Sequence, residues 1–181
     1  MVSSWPGTKN WVASTTATSA DMDTYVTDCM DWLAEDHPRC RLTHSSSQSI
    51  GNASWGTLSF NTETYDVRSM HSVIINTDRI TIPSGTGGLY EVGGSASWAN
   101  SSVGDRRLQI LVNGSTSIAV VGQPSLDGGT LNTEMDIYTQ YRLSAGDYLT
   151  FRGYQTSGGN LAIDKPTGAY SPVFYARWLA E

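Results

Sequence analysis

Three histidines (His37, His44, His71), two cysteines (Cys29, Cys40) and a large stock of serine and aspartate are the groups here that could do chemistry. A metal site needs His, Cys or carboxylates at short, regular spacing. None of the histidines stands at such a spacing, so they are expected at the surface or satisfied internally. A serine nucleophile would be announced by a Gly-x-Ser-x-Gly elbow, and the chain has none. Glu63 and Glu134 are the carboxylates a glycosidase would draw on, but no motif brings them together. Asp105, Asp127 and Asp147 are loop carboxylates of the right type for calcium, at spacings that do not demand it. The glycine pairs 87–88, 93–94, 128–129 and 158–159 do not open a helix after a strand. They read as turns or close-packing sites, not phosphate cradles. Asn52, Asn100 and Asn113 head Asn-x-Ser sequons of the sort a Ser/Thr-rich chain makes by chance. The cysteines form no framework, and free, partly buried thiols are favoured over a disulfide. The expectation is a chain that is not an enzyme, with no catalytic, metal or cofactor-binding residue.

The elements that would position any site are β-strands. Central among them is Gly88–Trp98, where Tyr90, Val92, Ala96 and Trp98 alternate with Glu91, Ser95 and Ser97. Gly93-Gly94 inside it would be costly in a helix and suggests close approach by another sheet. Further short strands are read at Arg39–His44, Trp55–Phe60, Ser72–Asn76, Arg79–Pro83, Arg106–Asn113, Thr116–Gly122, Leu131–Leu143, Tyr148–Gln155, Leu161–Ile163 and Ser171–Leu179. Asn113-Gly114 is a strong hairpin turn. So many short strands predict an all-β sandwich, most economically a jelly roll.

Ahead of the strands lies an extended arm carrying Trp5 and Trp11. It leads into one helix, capped by Thr18 or Ser19 and stopped at His37-Pro38. Met22, Tyr25, Val26, Cys29, Met30, Trp32 and Leu33 recur at helical spacing. This face either folds onto the β domain, bundles with copies of itself or plugs into a host structure. The organisation expected is an anchor over 1–38 and a β domain over 39–181.

At 181 residues, one domain with an appended arm is expected. Charged residues are 15% and the net charge is −6, so neither nucleic acid nor an anionic membrane would be attracted. The start has no basic, apolar leader, and no run is long enough to span a bilayer. Tyr138, Tyr148, Tyr154 and Tyr175 fall out of phase with the inward residues of their strands. Aromatics on both faces of a sheet predict that the second face is covered by self-association.

Several stretches together resemble the globular head of complement component 1q. They are Phe60-Asn61-Thr62-Glu63-Thr64-Tyr65-Asp66, Gly88-Leu89-Tyr90, Leu108-Gln109-Ile110-Leu111-Val112-Asn113-Gly114, Leu143-Ser144-Ala145-Gly146-Asp147-Tyr148-Leu149 and Phe174-Tyr175-Ala176-Arg177-Trp178-Leu179. Val92 departs from that family's usual aromatic, and no collagen-like stalk is present. Trp11, Ala20–Asp28 and Trp32-Leu33 resemble an N-terminal segment of tailed-phage structural proteins, with Met22-Asp23 in place of Leu-Asn. The resemblance implies a tumour-necrosis-factor-like jelly roll that forms a homotrimer, with Tyr138, Tyr148, Tyr154 and Tyr175 as candidate trimer-interface residues. It also implies a virion protein assembled in the host cytoplasm and fixed to other capsid or tail proteins through Trp5, Trp11, Met22, Tyr25 and Trp32. Capsid decoration is the expected role. The alternatives are a tail-fibre or baseplate module binding a host surface glycan or protein through loops Ser101–Asp105, Pro124–Gly129 and Thr156–Asn160, or a soluble complement-1q-like binding protein.

Overall fold

The computed structural model describes residues 12, 15–126, 131–165 and 172–181. Trp5, Trp11 and Asp127 lie outside the described residues.

The strands are β1 (Arg39–Thr43), β2 (Gln48–Ile50), β3 (Ser54–Thr57), β4 (Thr62–Val67), β5 (Arg79–Thr81), β6 (Gly88–Trp98), β7 (Asp105–Val112), β8 (Thr116–Pro124), β9 (Thr133–Leu143), β10 (Tyr148–Gln155), β11 (Leu161–Asp164) and β12 (Val173–Ala180). They make two antiparallel sheets. The larger runs β2-β11-β6-β12-β1-β4, with β9 on the free side of β6. The smaller runs β5-β10-β7-β8. The order β1-β12-β6-β9 facing β5-β10-β7-β8 is a jelly roll, so the chain is an all-β sandwich preceded by a helix.

Side-chain alternation on β6 explains why this strand is central. Tyr90, Val92, Ala96 and Trp98 are buried, while Glu91 and Ser95 face outward. Gly94 is inward, where any Cβ would lie 2.8 Å from the Phe151 ring. That clearance admits a stack of three rings across the core: Phe60–Phe174 at 5.7 Å and Phe151–Phe174 at 5.5 Å. Arg106 is fully buried, and its guanidinium donates to the carbonyls of Ser101, Val103 and Asp105, holding the 101–105 loop.

The expected strand over Ser72–Asn76 is a turn. Ser72 Oγ accepts from the backbone N–H groups of Ile74 and Ile75, and Asn76 has φ 53°. A serine that bonds its own backbone competes with sheet pairing. Val73, Ile74 and Ile75 are therefore exposed. Two strands went unread. β2 lies in the polar stretch taken for a connector, and β4 is mostly exposed, so neither shows a clean apolar alternation.

The helix, α1, spans 19–36 and alternates α turns (Ser19–Met22, Asp28–Asp31) with π turns (Asp23–Thr27, Trp32–Asp36). Thr18 and Asp21 form a capping box, with Asp21 N–H to Thr18 Oγ1 at 3.2 Å and Thr18 N–H to Asp21 Oδ2 at 2.9 Å. His37 turns extended ahead of Pro38 and ends it.

Candidate functional site

Trp32 is the helix residue buried against the sandwich. Its ring meets Trp178 of β12 edge-on at 5.8 Å, and the Arg68 guanidinium lies 4.9 Å over its face. Arg68 also pairs with Asp36 at 3.6 Å. Met22, Val26, Met30 and Leu33 are exposed, and Tyr25 is half-buried. The described anchor candidates thus divide: Trp32 clips the helix to its own domain, whereas Met22 is left in water and Tyr25 only half-covered.

The four candidate interface tyrosines also divide. Tyr138 and Tyr175 lie on the outer face of the larger sheet, and Tyr148 and Tyr154 on the outer face of the smaller one. On the smaller sheet the rings are covered from within the chain. Arg79 sits 4.4 Å over Tyr148, Arg107 sits 5.4 Å over Tyr154, and Trp55 packs on Tyr154 at 5.3 Å.

The larger sheet is different. Register places Tyr65 of β4 beside Arg41 of β1, Arg41 beside Tyr175 of β12, Tyr175 beside Gly93 of β6, and Gly93 beside Tyr138 of β9. Five strands at sheet spacing make this a band about 19 Å wide. Gly93 is what lets it lie flat, since a Cβ there would sit 2.7 Å from the Tyr175 ring. Tyr138 is 76% exposed and Tyr65 44%. A cleft of about 420 Å³ opens beside the band, bounded by Arg41, Ser95, Asp136, Tyr138, Val173 and Tyr175. Burial, reinforced by Glu91, pushes the Tyr175 phenol above its ordinary pKa, so it stays a neutral donor. Tyr65, missed as a candidate, was legible as the ring of the Thr62–Asp66 stretch whose alternation is weak.

The groups that could do chemistry are scattered or committed. His71 bonds Glu63 through Nδ1 at 2.9 Å, and its other nitrogen faces the Thr77 carbonyl at 3.3 Å. Glu134 accepts from Ser97 Oγ at 2.6 Å. Glu63 and Glu134 lie on β4 and β9, four strand spacings or about 19 Å apart, too far to act on one glycosidic bond. Asp105 and Asp147 sit at opposite ends of β7, by Thr156 and Asn113 respectively. Among the described residues no group of three or more His, Cys, Asp or Glu is placed to hold a metal. Cys40 is a buried free thiol, and burial pushes its pKa far up. Among the described residues no helix is long and apolar enough to cross a membrane.

The two ends of the sandwich differ. The helix docks at the Gly88 end of β6, where Trp178 pairs with Tyr90 and donates its backbone N–H to the Pro38 carbonyl. The described parts of the three candidate loops gather at the Trp98 end. Asp105 N–H reaches Thr156 Oγ1, Ser125 N–H reaches the Gly104 carbonyl, and Gly158 N–H reaches Asn52. The eleven residues of β6 separate these ends by about 33 Å.

No family model matches the chain, and no curated protein matches it.

Proposed function

We propose that this chain is a non-enzymatic structural module of a phage virion, in which the jelly roll trimerises and the N-terminal segment fixes it to the particle. The observation that carries the reading is the band Tyr65–Arg41–Tyr175–Gly93–Tyr138. Its tyrosines share one face of the larger sheet, with Tyr65 and Tyr138 open to water, whereas the rings of the smaller sheet are packed against guanidinium groups and Trp55. A patch of this kind on a soluble sandwich is usual for an interface. The exposed stripe Met22, Val26, Met30 and Leu33 supports an anchoring role for α1, since a helix that served only its own domain would bury that stripe. The resemblances to complement-1q heads and to tailed-phage proteins supply the threefold symmetry and the setting.

Capsid decoration is the role we favour, because the helix leads straight into the head with no stalk between them. One observation favours a second role, a receptor-binding tail module: three loops converge about 33 Å from the helix, at the end facing away from the anchor.

Deleting residues 1–36 is expected to leave a self-associated head that no longer binds purified particles. Undiminished attachment of that fragment would refute the anchor. Counting the protein's copies on purified particles separates a decoration protein, present in hundreds, from a tail module, present in a few.

A further inference from the structure

The outer face of the smaller sheet carries a ladder in which two packed rings are flanked by guanidinium groups. Arg107 lies over Tyr154, Tyr154 packs on Trp55 with their planes tilted 44°, and Arg152 lies 4.7 Å over Trp55. Arg152 is fixed by its Nε, which donates to Gln109 Oε1 at 2.8 Å. Among the described residues no carboxylate pairs with it. Arg107, half in water, shares Asp105 at 3.7 Å. A cleft of about 400 Å³ opens between Arg107 and the Val120–Pro124 end of β8, adjoining the Arg107 end of this row.

The geometry points to a binding site for an acidic oligosaccharide, one bearing a sugar carboxylate. A pyranose ring presents a face of C–H groups that can pack against the part of the Trp55 indole left in water, which is 36% exposed beside Arg152. A carboxylate can meet a planar guanidinium with both its oxygens, and Arg152 is already oriented and, among the described residues, has no carboxylate beside it. Asp105 stands beside Arg107, where its carboxylate can accept from sugar hydroxyls. On a chain of net charge −6, a face with Arg79, Arg107 and Arg152 against Asp78 and Asp105 is locally cationic. That excess suits one carboxylate per sugar. It does not suit a phosphate backbone, which would meet the whole molecule's negative field. The ladder ends beside the loop cluster at the Trp98 end of the sandwich. It lies within one chain and on the sheet opposite the tyrosine band, so it stands whether or not the molecule is a trimer.

Calorimetric titration of the full-length protein tests the site, with tetragalacturonate and sialyllactose as acidic probes. Maltotetraose is the neutral probe and octathymidylate the nucleic-acid probe. The expected result is saturable binding of at least one acidic probe that weakens with salt, and no binding of maltotetraose. R152Q and W55L should each weaken it by about tenfold or more, equivalent to about 1.4 kcal/mol. W55Y, which keeps a ring, should retain most of it. Should W55L fail to fold, R107M on a half-exposed side chain carries the same test. Absence of saturable binding to both acidic probes, equal binding of maltotetraose, tighter binding of octathymidylate, or an undiminished R152Q would each overturn the proposal.

Discussion

Gly93 and Gly94 are neighbours with opposite duties. Gly93 faces outward and makes room for the Tyr175 ring; Gly94 faces inward and makes room for Phe151 and the Val173 carbonyl. The second clearance is the stricter, because a Cβ at Gly94 would lie 2.7 Å from a backbone oxygen that cannot swing away. Gly94→Ala is therefore expected to cost about 1–3 kcal/mol. At about 2–4 °C per kcal/mol for a chain of this size, calorimetry should find Tm lowered by about 2–12 °C. Gly159→Ala, with nothing within 4 Å of the added methyl, should leave Tm within about a degree. At this scale the chemistry was largely readable from residue types. A histidine spending both ring nitrogens on Glu63 and Thr77 cannot be foreseen from spacing, but the lack of a ligand or triad pattern around it can. The ring–guanidinium ladder was not readable. Trp55, Arg107, Arg152 and Tyr154 are brought together by the pairing of β10 with β7 and by the run of β3 along β10, which no local pattern encodes.

Among the elements, β6 and β10 were legible to the residue, because both bury one face and end at strong turns. β4 and β2 were not, since one is largely exposed and the other is three residues long. The helix was legible from its cap and its stop. What it packs on was not, because a wide apolar face fits a domain or a partner equally well. In the fold, one residue decides: Trp32 docks while the Met22–Leu33 stripe stays out. His37 sits at that junction, its N–H bonded to the Trp32 carbonyl and its ring beside Arg39. Burial, and then the Arg39 charge, hold its pKa below the ordinary 6.5. The sign follows from linkage. The unfolded junction takes up a proton more readily than the docked one, so docking is unopposed above pH 6.5. It weakens as pH falls from there through the lowered folded value. Amide exchange over 32–37 is expected to be faster at pH 5 than at pH 7.5, after correction for intrinsic rates. H37Q should remove that difference. Equal pH dependence in both proteins would show that His37 does not gate the junction.

The whole molecule is a jelly roll with three unlike surfaces: a helix with an exposed apolar stripe at one end, an open tyrosine band on the larger sheet, and a cationic, ring-rich face on the smaller. The second-face reading of the sequence treated all the outward tyrosines alike. The structure separates them by what lies over each ring, and the band on the larger sheet is the face whose tyrosines are left open for a sister copy. The central claim is that sister copies cover it, and sedimentation of the intact protein at micromolar concentration tests this most directly. The account predicts a single species near three times the 19.6 kDa chain mass, about 59 kDa, which Tyr138→Lys returns to the mass of one chain. A folded wild-type protein sedimenting at 19.6 kDa would contradict it.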